Sequence, residues 1–117
     1  MLERFILIHA GVDPAPEIVE LDSAHLLDGM YQAMHCDSIE IVRVPRSVLL
    51  PQGIVLVADE NGWYRDTIRY NKFASFWYGD VICGDVLIAS EGYRNGEPDL
   101  VGLDMLQLHF LRQCFDI

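Results

Sequence analysis

Apolar and polar positions alternate along this chain in short blocks, and the blocks predict elements in an α+β order. Arg4 to Ala10 (Arg-Phe-Ile-Leu-Ile-His-Ala) is a β-branched and aromatic run that stops at Gly11. The Pro14-Ala15-Pro16 segment after it cannot continue a sheet, because proline lacks the backbone donor. Glu17 to Leu21 offers a second strand, so the two form a hairpin. Asp22 or Ser23 then caps a helix in which Leu26, Leu27, Met30 and Met34 recur at three-and-four spacing, and His35 closes it.

Ile39 to Val44 alternates well enough for a half-buried strand that Pro45 ends, while Gly53 to Ala58 is a continuous apolar run suited to a strand covered on both faces. Asn61-Gly62 is a hairpin-turn signal, because both central positions of a type I′ turn need positive φ. Trp63 to Tyr70 either pairs back as a strand or runs as an ordered loop. Asn71 caps a short helix, Lys72 to Tyr78, that stops at Gly79, with Phe73, Phe76 and Trp77 as its core face. Val81 to Ala89 reads as a strand in which Gly84 marks a bulge or a close backbone approach. Asn95-Gly96 predicts a further hairpin. Leu103 to Ile117 predicts a final helix with Asp104 near its start and a stripe of Leu103, Leu106, Phe110, Leu111, Cys114 and Phe115. The expected architecture is a single small α+β domain over 1–117: a mainly antiparallel twisted sheet with two to three helices, largely on one face.

The segments Leu26 to Met30, Ser38-Ile39-Glu40-Ile41-Val42, Asp59-Glu60-Asn61-Gly62, Asn71 to Ala74 and Ile82-Cys83-Gly84-Asp85-Val86-Leu87-Ile88 together resemble the small family catalogued as domain of unknown function 3846. The resemblance spans residues 4–101 and rests on a strand, a turn and a helix cap. It implies a phage, prophage or plasmid setting, brings no general enzymatic activity, and therefore points to no catalytic residue.

Composition narrows the chemistry. The chain has 117 residues, with 18 acids against 8 Lys plus Arg and a net charge of −10, which argues against strong binding of duplex nucleic acid by phosphate neutralisation. Cys36, Cys83 and Cys114 form no Cys-x-x-Cys pair and read as buried thiols of a reducing cytoplasm. No signal peptide or apolar run of membrane-spanning length is visible. His35-Cys36-Asp37 puts three ligand types side by side, but chain neighbours rarely converge on one centre, so neither a metal nor a cofactor is expected. His9, His25 and His109 fall on different elements, and only a fold that brings two histidines to one carboxylate would give them a shared role. No Gly-x-Ser-x-Gly surrounds Ser75 or Ser90, Gly92 to Gly96 is no phosphate loop, and adjacent acids such as Asp59 and Glu60 are usually just solvated.

Charge distribution says more than any motif. Residues 13–42 carry seven acids (Asp13, Glu17, Glu20, Asp22, Asp28, Asp37, Glu40) and no Lys or Arg. Residues 62–79 carry Arg65, Arg69 and Lys72 against Asp66 alone. One reading is an acidic face for a basic host or defence protein, as in a counter-defence factor or DNA mimic. A second is a nucleotide or small-ligand site at Trp63, Tyr64, Arg65, Arg69 and Lys72, with aromatic faces for a base and cations for a phosphate. An uncharacterised enzyme is a third. Unpaired strand edges and the apolar last helix are also compatible with a homodimer.

Overall fold

In the computed structural model, which describes residues 1–11, 15–45 and 48–117, the elements run β1 (Leu2–Ile8), β2 (Glu17–Asp22), α1 (Leu26–Met34), β3 (Ile39–Val42), β4 (Ile54–Asp59), α2 (Lys72–Tyr78), β5 (Val86–Arg94), β6 (Glu97–Val101) and α3 (Met105–Phe115). The strands form one sheet in the order β2-β1-β5-β4-β3, with β6 pairing the far half of β5, and every pairing is antiparallel. The α+β reading therefore holds.

Strand alternation divides the apolar side chains between two faces. Ile6, Ile8, Leu56, Ala58, Val86 and Ile88 pack with Ala74 and Trp77 of α2 and with Leu108 and Leu111 of α3. Phe5, Leu7, Val55, Val57, Leu87 and Ala89 pack with Met30 and Met34 of α1. Two of the three helices thus share one face and α1 covers the other, which is why all six residues of β4 are buried.

The capping predictions are met at named atoms. Asp22 accepts from the Ala24 amide at 3.0 Å and starts a 3₁₀ turn that leads into α1. Asn71 accepts from the Ala74 amide, and Asp104 and Gln107 form a reciprocal capping box on α3. Asn95 and Gly96 both have positive φ in the β5–β6 hairpin.

Several expectations change. Asn61-Gly62 makes no hairpin: Gly62 opens a 3₁₀ turn (Gly62–Tyr64) at ordinary φ. A Cβ there would collide with the Cys83 carbonyl oxygen, so close approach rather than turn geometry requires the glycine. Residues 65–69 run as a loop, with a single antiparallel bridge from Tyr70 to Cys83. β5 begins at Val86 rather than Val81, after a turn in which Gly84 has φ 92°. The α3 stripe is shifted: Gln107, Leu108 and Leu111 are buried whereas Leu106, Phe110 and Cys114 are exposed. The cause is the cap, since Gln107 turns inward to donate to the Ser90 hydroxyl and the Gln52 carbonyl. Cys114 is therefore not a buried thiol, and Phe76 lies outside the α2 core face that Trp77 and the half-buried Phe73 supply.

Candidate functional site

β1 and β4 end, and β5 begins, at the same end of the sheet, because Ile8 and Ala58 both pair with Val86. The C-terminus of α1 and the 62–70 loop meet them there. Asn71 ties the base together: it is fully buried, and its side-chain amide donates to the Ile8 carbonyl at 3.1 Å and the Gly84 carbonyl at 3.0 Å. This fixes the turn that places Asp85.

Asp85 is 2% exposed. Its Oδ1 accepts a short bond, 2.8 Å, from the Ala10 amide. Its Oδ2 is approached by two imidazoles, His35 Nδ1 at 3.5 Å and His9 Nδ1 at 3.7 Å. His35 comes within reach because it closes α1 in the left-handed conformation. The other ring nitrogen of His9 lies 3.8 Å from Glu17. Arg69 Nη2 is 4.0 Å from Asp85 Oδ1 and donates a long bond, 3.4 Å, to the Ala10 carbonyl.

The second buried acid, Asp59, is clamped instead. It accepts from the Asn61 amide at 2.9 Å and from Arg65 through Nε and Nη2, both at 3.0 Å. Those bonds hold the Arg65 guanidinium charged well above its ordinary range. Arg65 also reaches Asp37 at 3.5 Å. A cleft of about 280 Å³ opens over these groups, lined by His35, Asp59, Arg65, Thr67, Arg69 and Asp85 among others.

Of the five residues expected to bind a ligand, the fold brings Arg65 and Arg69 into this cleft. Trp63 instead lines a neighbouring pocket of about 320 Å³ with Ile41, Tyr78 and Val81, on the far side of Asp59. Tyr64 is exposed, and Lys72 sits on the first turn of α2 outside the cleft. The expected acidic residues divide. Glu17, Glu20 and Asp22 lie on β2 at one edge of the sheet, and Asp28 is on α1, which packs beside it. Glu40 lies on β3 at the opposite edge, and Asp37 precedes it. Asp13 falls outside the described residues.

Sequence reasoning missed Asp85, Asp59, His9 and His35 as a group. The available signal was an acid embedded in the apolar run Ile82 to Ile88, since a carboxylate in such a run must be buried and needs partners. Chemically, the cleft offers two guanidiniums, an imidazole held against a buried carboxylate, and the Thr67 hydroxyl. Burial pushes the Cys36 and Cys83 thiols up, away from the reactive thiolate form. Among the described residues no His, Cys, Asp and Glu group has the geometry to hold a metal ion, and no helix is long and apolar enough to cross a membrane.

The pattern of the family described as domain of unknown function DUF3846 matches residues 3–111. A comparison with curated proteins finds no match. Among solved structures, the chain is similar to part of the small RNA methyltransferase HEN1, with a TM-score of 0.64 and 21% identity, over 97% of this chain and 16% of that one. At that identity the likeness concerns the fold alone, and the chain spans about 16% of the length of that protein.

Proposed function

Taking as premise that the chain belongs to the DUF3846 family, we propose that it binds a small phosphate-bearing ligand of the nucleotide class in the cleft between α1 and the 62–70 loop. One observation carries this reading: Arg69 stands half-exposed over a cleft already walled by Arg65 and His35, and its nearest partners lie at 3.4 and 4.0 Å. A guanidinium whose donors are that loosely engaged is available to an anion, because charge-assisted bonds of full strength form at about 2.7–2.9 Å. Arg65 serves as the fixed wall, since Asp59 already holds it. The phage and plasmid setting implied by the family resemblance makes this a mobile-element accessory protein that senses or sequesters such a ligand in a host cytoplasm. A thermal-shift series with nucleoside mono-, di- and triphosphates tests the reading. A rise in melting temperature that Arg69→Gln abolishes supports it. Unchanged melting at millimolar concentrations of every nucleotide overturns it.

A second reading draws on the β2 edge. Alternation along β2 puts Glu17 on the side of α1 and its Asp28, with Val19 and Leu21, and Glu20 and Asp22 on the opposite side, so a basic host or defence protein docking along this edge of the sheet would meet acids on both flanks of the strand. Affinity capture from host extract followed by salt titration tests it. The retained partner should elute as salt rises and should be lost from a variant with all four acids neutralised. Retention by that variant, or elution that ignores salt, contradicts it.

A further inference from the structure

The two oxygens of Asp85 are unequally served. Oδ1 accepts a bond of ordinary length from the Ala10 amide, whereas Oδ2 has a long bond with His35 Nδ1 at 3.5 Å and His9 Nδ1 at 3.7 Å. A carboxylate 2% exposed normally gathers short, strong donors on both oxygens, because an under-served buried charge is costly. Here Oδ2 is partnered only at long range among the described residues, and the residue lines the cleft. Beside it stands the loosely engaged Arg69, 4.0 Å from the other oxygen of the same carboxylate. A donor-seeking group and an anion-seeking group therefore share one small space, and a phosphate alone would satisfy only the second.

Resting on the proposed ligand site, the geometry points to a narrower ligand class: a sugar phosphate, whose ring hydroxyl donates to Asp85 Oδ2 while its phosphate is held by Arg69. The hydroxyl supplies the short donor that the imidazoles do not, and the phosphate completes the guanidinium. An alkyl phosphate dianion would keep the second contact and would meet the Asp85 charge with no donor to offer. The volume of about 280 Å³ suits a fragment of this size and leaves any attached base outside the cleft. Thr67, on the cleft wall, adds a hydroxyl that both donates and accepts.

Calorimetric titration with ribose 5-phosphate and with tetrahydrofurfuryl phosphate, the same ring and phosphate without hydroxyls, separates the possibilities. The expected result is at least about tenfold tighter binding of ribose 5-phosphate, as for a hydrogen bond to a charged group. In Asp85→Asn, which presents an amide donor or a weaker neutral acceptor to the cleft, that ratio should collapse toward unity while the hydroxyl-free ligand binds as well as before or better. Equal binding of the two ligands by the wild-type protein overturns the hydroxyl assignment and leaves phosphate binding in the cleft standing. A preference that survives unchanged in Asp85→Asn overturns Asp85 as its source. If neither ligand binds, the cleft reading itself fails. The comparison of the two ligands on wild-type protein decides the matter even where Asp85→Asn does not fold.

Discussion

Two acid–arginine meetings at opposite ends of the molecule differ in tightness. Near the β5–β6 hairpin, Arg94 donates to both oxygens of Glu3 at 2.7 and 2.6 Å and to the Leu100 carbonyl at 3.1 Å, while the Gly102 amide donates to Glu3 at 2.8 Å. Both side chains are at most a quarter exposed. At the cleft, Asp85 is more deeply buried than Glu3, yet Arg69 stays 4.0 Å away and is more than half exposed. In the first arrangement every Arg94 nitrogen meets an acceptor, Nε lying 3.1 Å from Asp99, and the cluster staples β1 to the β5–β6 ribbon. The second keeps a buried carboxylate with one short partner, the Ala10 amide, while its side-chain partners stand off at 3.5 Å or more. Asp59, clamped by Arg65, shows that this sequence builds tight pairs even within the cleft, and the looser contacts of Asp85 are what the proposed site rests on.

This contrast orders the effects of substitution. The largest loss belongs to Asn71→Ala, which removes the α2 cap and leaves the buried carbonyls of Ile8 and Gly84 without donors. About 3 kcal/mol is expected in urea denaturation, and a loss under about 1 kcal/mol would show that the base of the cleft is not held by Asn71. Glu3→Ala should cost about 2 kcal/mol, since it removes two charge-assisted bonds from Arg94, which keeps Leu100 and Asp99, and leaves the Gly102 amide without its acceptor. A near-neutral result would erase the distinction between staple and site.

Acid sharpens the same comparison. The Arg94 hydrogen bonds hold the Glu3 carboxyl below the usual glutamate range, ahead of the opposing effect of burial. A carboxyl with a depressed folded-state pKa contributes its full stability above the unfolded value and loses it as pH falls through the folded value. The stability gap between wild type and Glu3→Gln should therefore be widest near neutrality and close below the ordinary glutamate range. A gap that is constant from neutral to acid pH would contradict the ion pair as its source. The smallest effect is expected at the cleft: Arg69→Gln should change stability by no more than about 0.5 kcal/mol, because its contacts are long and exposed, while removing the thermal shift given by nucleotides. A loss comparable to that of Glu3→Ala would make Arg69 another staple.

Much of the scaffold was legible because its determinants are local. Asn71 and Asp22 act within three residues, Asn95-Gly96 is a turn by its own conformational needs, and β4 announced its double coverage by an unbroken apolar run. The failures are nonlocal. Gly62 is fixed by the Cys83 carbonyl, twenty-one residues away in the chain, and the phase of α3 is set by Gln107 reaching Ser90. The site is nonlocal too: Arg65 and Arg69 were visible in a basic segment, but His9, His35 and Asp85 meet only because three elements end together. The grouped acids of residues 13–42 illustrate the converse, since adjacency in sequence places Glu20 and Glu40 at opposite edges of the sheet.

Amide and side-chain NMR shifts during titration with a nucleoside monophosphate show whether the slack around Asp85 marks a ligand site. The account predicts perturbations centred on Ala10, His35, Arg69, Gly84 and Asp85, saturating together, with Glu3, Arg94 and Gly102 unmoved. Absence of any shift at millimolar nucleotide, or saturable shifts confined to residues outside the cleft, would contradict it.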